Sequence, residues 1–166
     1  MLKENFLQLN FPFIARSPKE MLSVGEKIGS VISKGSVVAL KGRLGAGKTC
    51  LVKGIAKSLG ITSEITSPSY TIITEYEAVT PLADNLKMFL KKDNNMIIPF
   101  YHIDVYRLNG EEDFIDLGGE DYINGDGIAV IEWSDKIERL LPDNTLHIEI
   151  EILDNNSRAI RLRESK

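Results

Sequence analysis

Cysteine is almost absent from this chain, which has one, Cys50, among 166 residues. A single cysteine cannot form an internal disulfide, so the fold is not held together by a disulfide framework. The first residues also lack the succession of charged, apolar and small residues that marks a secretory signal. We therefore expect a protein of the reducing cytoplasm.

Long apolar runs and an excess of positive charge are also missing. No apolar run approaches the roughly 20 residues that a membrane-crossing helix needs, and there is no lipidation pattern, so we expect no membrane contact. The formal net charge is -4 and the isoelectric point is about 5.3. Proteins that grip nucleic acid by themselves present clustered Lys and Arg, so any RNA is expected to be held by another subunit.

The remaining composition is that of an ordinary globular protein, with 43% hydrophobic and 27% charged residues and no internal repeat. The length fits one domain, residues 1–166. Hydrophobic periodicity predicts, in the first third, an edge strand over 6–14, a helix over about 18–33 capped by Ser17, a buried strand over 36–41 and a helix from Lys48 closed by Gly60.

The rest of the chain is predicted to alternate between strands and connections. β-branched and aromatic residues predict strands over 70–76, 101–107 and 127–133, and alternating residues predict a hairpin of 146–152 with 160–163. An exposed insertion over about 78–99 is expected, with a short helix over 82–90. We therefore predict an α/β, P-loop NTPase-like three-layer domain whose mixed, mostly parallel sheet ends in an antiparallel hairpin.

The strongest functional signal is the segment Gly42-Arg-Leu-Gly-Ala-Gly-Lys-Thr49. It satisfies the P-loop pattern in full and lies between a predicted strand and a predicted helix, as that pattern requires. Backbone N–H groups and the helix N-terminus would hold the phosphates of ATP, Lys48 would reach the β- and γ-phosphates, and the Thr49 hydroxyl would coordinate Mg²⁺. The expected nucleotide contacts are Gly42, Leu44, Gly45, Ala46, Gly47, Lys48, Thr49 and Cys50.

Two acidic residues are candidates to complete the site. A P-loop ATPase needs a carboxylate at the end of a neighbouring strand, to hold magnesium and to orient the attacking water. Asp104 lies in a predicted strand whose alternation puts His102, Asp104 and Tyr106 on one face. Glu132 follows the apolar run 128–131, at a strand's carboxyl end where α/β sheets bind ligands. The pattern does not decide which acid dominates in water activation.

Several polar residues have two interpretations. Residues 67–71, Ser-Pro-Ser-Tyr-Thr, lie where many nucleotide hydrolases have a switch region, but they also fit a capped turn. Cys50 is either a redox-sensitive thiol at a helix N-terminus or, as we favour, a packing residue beside the nucleotide. His102 fits a core or supporting histidine better than a catalytic base, and His147 a solvent-facing residue of the hairpin.

Other nucleotide-binding classes leave gaps in the sequence. There is no Asn-Lys-x-Asp motif for guanine, and the protein-kinase signatures are absent. Two alternatives stay open: a small-molecule kinase that uses the same phosphate cradle, and a nucleotide-gated binding module that holds ATP without hydrolysing it.

Four motifs taken in order, 42–49, 67–71, 101–108 and 131–133, resemble the TsaE family, also called YjeE, over residues about 17 to 163. The resemblance implies a bacterial ATPase that works with the TsaD and TsaB proteins to make threonylcarbamoyladenosine beside the tRNA anticodon. It also implies that the nucleotide cycle supports turnover of the TsaD–TsaB assembly, which performs the transfer. The tRNA would then be contacted indirectly, through the complex.

The resemblance also assigns roles to residues. It implies that Lys48 and Thr49 serve the phosphates and magnesium, that Glu132 is the metal-binding acid, and that Asp104 is a strand acid near the γ-phosphate. Residues 67–71 would be the switch, so that Thr71 contacts the nucleotide, and Trp133 would lie beside it. Two features depart from the family pattern: Cys50 stands where threonine is usual, and the connection over 78–99 is long.

Overall fold

The computed structural model describes residues 9–81 and 95–163. In chain order its elements are β1 (Phe13–Ala15), α1 (Pro18–Gly29), β2 (Val37–Lys41), α2 (Lys48–Ser58), β3 (Ile73–Pro81), β4 (Asn95–Asp104), α3 (Glu111–Asp116), α4 (Gly119–Asn124), β5 (Ile128–Glu132), a 3-10 helix (Ser134–Leu140), β6 (Leu146–Ile152) and β7 (Arg158–Arg163). The helix predicted over 82–90 lies outside the described residues. None of the helices in the described part of the chain has the length and apolar character of a membrane span.

The strands form one mixed sheet. Within the described residues its order is β1-β7-β6-β2-β5-β4-β3. The four inner strands β6, β2, β5 and β4 pair in parallel, whereas β1–β7, β7–β6 and β4–β3 pair antiparallel. The predicted α/β fold with a C-terminal antiparallel hairpin is therefore confirmed. The register places Asp104 opposite Glu132, so both acids lie at the same edge of the sheet.

Two apolar cores separate three layers of structure. Alternate residues of a strand face opposite sides of a sheet. Val38, Leu40 and Val130 accordingly face the core formed with α1 and α2. Ala129 and Ile131 face a second core, which contains buried residues of α3, α4 and the 3-10 helix. Because the inner strands are buried on both faces, β2 and β5 are continuous apolar runs.

Helix α1 begins as predicted but ends earlier. The Ser17 side chain accepts a hydrogen bond from the Glu20 N–H, and Pro18 occupies the first turn, where its missing N–H costs nothing. The predicted end near residue 33 is wrong, because the helix ends at Gly29. Beyond it the Ser30 hydroxyl donates to the Lys27 carbonyl and Ser33 N–H donates to the Ser36 hydroxyl. Such side-chain bonds to the backbone compete with helical ones.

The two strands on either side of the predicted insertion have bounds that differ from the predicted ones. β3 begins at Ile73, not at residue 70, because residues 69–71 form a turn and Ile72 after it has a φ of 67°. β4 runs from residue 95 to Asp104, so Tyr106 does not share its face, contrary to the prediction. Residues 78–81, predicted to begin the exposed insertion, instead belong to β3 and pair antiparallel with residues 95–98 of β4. The first strand is likewise shorter than predicted, since it begins after Pro12, which has no N–H for pairing.

Helices α1 and α2 cross at a point where both have glycine. A Cβ added to Gly54 would lie 2.9 Å from the Gly25 Cα atom and closer still to the Leu22 carbonyl oxygen. These neighbours are backbone atoms, so they cannot move aside as a flexible side chain can. The glycine pair therefore sets how closely α2, which begins at the phosphate loop, approaches α1.

We expect Gly54→Ala to lower the free energy of unfolding by about 1–3 kcal/mol, the usual cost of overpacking, although alanine has the higher helix propensity. Urea denaturation would measure the change. Gly110→Ala is the matched control, since an added Cβ there meets no atom within 4 Å. Equal stability of the two variants would contradict the close helix contact.

Candidate functional site

Most of the predicted site residues meet in one cavity at the carboxyl ends of β2, β4 and β5. Its volume is about 510 Å³. The walls come from the phosphate loop, the start of α2, the segment 67–70 and the residues that end β4 and β5. The lining residues are Leu44, Gly45, Gly47, Lys48, Thr49, Cys50, Ser67, Ser69, Tyr70, Asp104, Tyr106, Arg107, Glu132 and Trp133.

The glycine-rich loop turns directly into α2. Gly47 precedes the helix with a φ of 100°, a conformation that side chains other than glycine's rarely adopt. The first helical hydrogen bond runs from Leu51 N–H to the Gly47 carbonyl at 2.9 Å, and no side chain caps this N-terminus. Its first N–H groups and the positive end of the helix dipole therefore lie at the cavity, which is the arrangement that binds phosphate.

Lys48 is the central cation of the cavity although it is only 5% exposed. Its ammonium donates to the Gly42 carbonyl at 2.8 Å and to the Arg43 carbonyl at 3.3 Å. It also lies 3.7 Å from the centre of the Trp133 ring, a cation–π contact. Burial lowers the pKa of Lys48 below the ordinary 10.5, and the nearby carboxylates of Glu132, Asp104 and Asp135 oppose this shift.

The lowered pKa of Lys48 predicts how anion binding at the loop depends on pH. The affinity for an anion should begin to fall at a lower pH than it would if Lys48 had the pKa of an ordinary lysine. Because the pKa is lowered, the ammonium is present below that pKa and is lost as the pH rises through it. We expect ADP affinity, measured by calorimetry without metal at constant ionic strength, to decline below pH 10.5. Lys53→Ala, which changes an exposed lysine of α2, should keep the same profile. Constant affinity up to pH 10.5 would contradict the role of Lys48.

Thr49, Glu132 and His102 form a hydrogen-bonded group in which the acid and the histidine are buried. The Thr49 hydroxyl donates to Glu132 Oε1 at 2.8 Å, and the same oxygen lies 2.9 Å from His102 Nε2. Glu132 is 3% exposed and His102 is fully buried. A carboxylate and a hydroxyl thus stand together at the N-terminus of α2.

Asp104 organises the segment 67–71. Its Oδ2 atom accepts hydrogen bonds from the Ser67 and Ser69 hydroxyls, both at 2.8 Å. Its Oδ1 atom accepts from Tyr106 N–H at 3.0 Å. The carboxylate therefore ties this segment to the end of β4.

Two residues beside the acids have positive φ without being glycine. Trp133, directly after Glu132, has a φ of 62°, and Ile72, directly after the segment 67–71, has a φ of 67°. Such backbone costs of the order of 1–3 kcal/mol per residue and is concentrated at functional sites. At Trp133 this conformation accompanies contacts of the indole with Lys48 and with the Tyr106 ring, whose centre is 4.9 Å away.

Three of the predicted contacts do not line this cavity. They are Gly42, Ala46 and Thr71. The Gly42 carbonyl instead accepts from Lys48, and the exposed Thr71 hydroxyl lies 3.3 Å from that of Thr74.

Cys50 lines the cavity, and burial raises the pKa of its thiol. A raised pKa disfavours the reactive thiolate, so the structure supports the packing interpretation over a redox-sensitive one.

Arg158 contacts the phosphate loop although no sequence motif predicts it. Its guanidinium Nη2 donates to the Gly45 carbonyl at 3.3 Å, and its Nη1 donates to the Asn155 carbonyl at 3.1 Å. It also lines a second cavity of about 360 Å³ on the other side of the phosphate loop, beside Pro18 and Met21. No sequence spacing links residue 158 to residue 45; its place between the two predicted hairpin strands, 146–152 and 160–163, was the available signal.

The donor set fits a magnesium nucleotide. Mg²⁺ is bound by oxygen atoms, usually one or two protein ligands together with substrate phosphates and water. Thr49 Oγ1 and the Glu132 carboxylate supply such oxygens. Over residues 9–81 and 95–163 there is no cluster of three or more His, Cys, Asp or Glu that would hold an ion by itself. The two oxygens of Thr49 and Glu132 suit a metal that is shared with bound phosphates.

Comparison with known proteins agrees with these motifs. The family model of the threonylcarbamoyl adenosine biosynthesis protein TsaE matches residues 15–160. The tRNA threonylcarbamoyladenosine biosynthesis protein TsaE of Treponema pallidum is 38% identical over 147 residues, 89% of this chain and 96% of that protein. Its counterpart from Bacillus subtilis is 36% identical over 144 residues, which are 87% of this chain and 79% of that protein.

A solved structure gives the same result at the level of the fold. The crystal structure of Bacillus subtilis YdiB superposes with a TM-score of 0.68 at 30% identity, covering 94% of this chain and 86% of that one. With a family model that spans most of the sequence, these similarities leave one assignment: the chain belongs to the TsaE family of threonylcarbamoyladenosine biosynthesis proteins.

Proposed function

We propose that this chain is a magnesium-dependent P-loop ATPase that supports the threonylcarbamoyladenosine modification of tRNA. The observation that carries the proposal is the single cavity in which Lys48, Thr49, Asp104 and Glu132 lie together at the N-terminus of α2. Phosphoryl transfer from ATP to water requires a cation for the phosphates, a hydroxyl and a carboxylate for the metal, and a carboxylate that orients the water.

Phosphate binding rests on the loop and on Lys48. The N–H groups at the start of α2 attract the anionic phosphates, and the buried ammonium adds a full positive charge. Because Lys48 is shielded from water, its attraction for a phosphate is stronger than that of a surface lysine. These groups bind the nucleotide and stabilise charge that develops during transfer.

Thr49 and Glu132 would hold the magnesium ion. When bound, the ion neutralises phosphate charge and helps to orient the substrate.

Asp104 has a different role in the proposal. Its carboxylate keeps Ser67 and Ser69 at the cavity wall, where their hydroxyls and the acid itself can orient the attacking water. Which of the two acids contributes more to water activation is open to measurement.

The second cavity is suited to the nucleoside. It lies against the same loop residues, Gly45 to Gly47, and its wall combines Pro18 and Met21 with Arg158. An aromatic base packs favourably on apolar side chains and on a guanidinium group. We therefore place the adenosine part of ATP there, with the phosphates running over the loop towards Lys48.

The proposal includes TsaD and TsaB as partners, with the tRNA held by their complex. The net charge of -4 supports this division, because the chain lacks the positive excess that RNA binding needs. Hydrolysis by this chain would drive turnover of that assembly in the cytoplasm, where tRNA is modified.

Phosphate release tests the proposal. The purified chain should hydrolyse ATP slowly with Mg²⁺, faster when TsaD and TsaB are added, and not at all when the metal is chelated. Tight ATP binding without phosphate release under every condition would instead indicate a nucleotide-gated binding module. A phosphorylated product from a metabolite panel would indicate a small-molecule kinase, and either result would overturn the ATPase assignment.

A further inference from the structure

His102 is a buried titratable residue that the proposed ATPase does not use directly. It lies on β4 and is fully buried. It does not line the cavity, so it cannot touch a bound nucleotide. Its Nε2 atom lies 2.9 Å from Glu132 Oε1, and its Nδ1 atom is buried without a hydrogen-bond partner among the described residues. The histidine therefore acts on the site only through Glu132.

The register of the sheet explains why these side chains meet. His102 pairs with Val130 across the parallel β4–β5 ladder, and Glu132 follows two residues later on β5. Residues two apart share a face, and Val130 faces the core with α2. His102 and Glu132 thus both point towards the helix that provides Thr49. One carboxylate oxygen receives both contacts, from Thr49 and from the imidazole.

The contact between His102 and Glu132 indicates which imidazole nitrogen carries hydrogen. An ionised carboxylate only accepts hydrogen bonds, so the 2.9 Å contact requires hydrogen on Nε2. The Nδ1 atom, by contrast, is buried without a hydrogen-bond partner among the described residues. The geometry therefore points to the tautomer that carries hydrogen on Nε2.

We propose that His102 is a positioning residue that, through its Nε2–H group, holds the Glu132 carboxylate against Thr49 in the orientation that binds magnesium. The proposal rests on the ATPase function proposed above. Groups that orient metal ligands in this way typically contribute about 10–100-fold to metal affinity or activity. Without the donor, Glu132 would keep its place on β5 but lose one of its two hydrogen-bond contacts.

Two substitutions separate positioning from packing. His102→Leu removes the donor and keeps the site apolar, whereas His102→Gln retains an amide N–H near the position of Nε2. We expect His102→Leu to weaken Mg²⁺ binding to the ADP-loaded protein by about 10–100-fold in calorimetry, with ADP affinity in chelator unchanged because the phosphate loop is untouched. His102→Gln should restore most of the metal affinity. Equal loss in both variants, or no loss in His102→Leu, would overturn the proposal.

A spectroscopic measurement tests the proposal with His102 in place, so it does not depend on whether a His102 variant folds. The chain has two histidines, so His147→Gln assigns the imidazole ¹⁵N signals of His102 by elimination. We expect hydrogen on Nε2, as the contact with Glu132 requires; an imidazole with hydrogen on Nδ1 alone would overturn the proposal. If the wild-type chain failed to hydrolyse ATP, the proposed function would fail, while the tautomer and the Mg²⁺ affinities would still decide whether His102 positions Glu132.

Discussion

Lys48→Ala is expected to reduce ATP turnover by about 10²–10³-fold, the usual loss when one preorganised donor to a developing charge is removed. The reason is the position of the ammonium, which is shielded from water and held at the phosphate loop by the Gly42 and Arg43 carbonyls. Nucleotide affinity should fall as well, because the same charge attracts the phosphates before reaction. Phosphate release and calorimetry with ADP would measure the two effects.

A matched control is available on the same helix. Lys53 is exposed and does not line the cavity, so Lys53→Ala removes an equal charge from α2 without touching the loop. It should leave turnover near the wild-type value. Wild-type hydrolysis by Lys48→Ala would show that the P-loop assignment is wrong, whatever the control does.

Glu132→Gln is expected to lower kcat by about 10²-fold or more while ADP binding without metal persists. The amide keeps an oxygen that can accept the hydrogen bonds from Thr49 and His102, so the fold should survive. It lacks the negative charge with which a carboxylate ligand attracts magnesium. The loss should therefore appear in the magnesium dependence and in kcat rather than in metal-free binding.

Glu77→Gln gives the comparison for this substitution, since Glu77 is an exposed acid on β3 outside the cavity. Its kinetics should match the wild type. Asp104→Asn, measured in parallel, would rank the two acids. If Glu132→Gln kept the wild-type kcat at saturating Mg²⁺, the metal role of this residue would have to be abandoned.

The phosphate loop was predictable because its signal is local. Gly42, Gly47, Lys48 and Thr49 are fixed by spacing, and the flanking apolar patterns give a strand and a helix. The antiparallel β6–β7 hairpin was predictable for a similar reason, since alternation marks both strands and polar residues mark the turn. In these segments the propensities of neighbouring residues already favour the observed structure.

Features that depend on distant contacts were not predictable. Nothing in the sequence indicates that β6 pairs with β2, which lies more than a hundred residues earlier, or that Arg158 reaches Gly45. Positive φ at Ile72 and Trp133 contradicts the local preference of both residue types. Their surroundings impose it, because Ile72 is held between Pro68 and Asp104 by backbone hydrogen bonds.

The positions of Asp104 and Glu132 near strand ends were predictable from the sequence, but their different hydrogen-bond partners were not. The register shows them opposite one another, yet each has its own hydrogen-bond partners. Glu132 contacts Thr49 at the start of α2, whereas Asp104 contacts the two serines before β3. That difference depends on side-chain directions, which hydrophobic periodicity does not encode.

The indole beside Lys48 gives the protein a built-in optical reporter. The chain has one tryptophan, and its ring lies 3.7 Å from the Lys48 ammonium. Indole emission responds to nearby charge, and no second indole contributes background. Movement of that ammonium towards an incoming anion would therefore change the intrinsic fluorescence of the whole protein, so that occupancy can be followed in real time without a label.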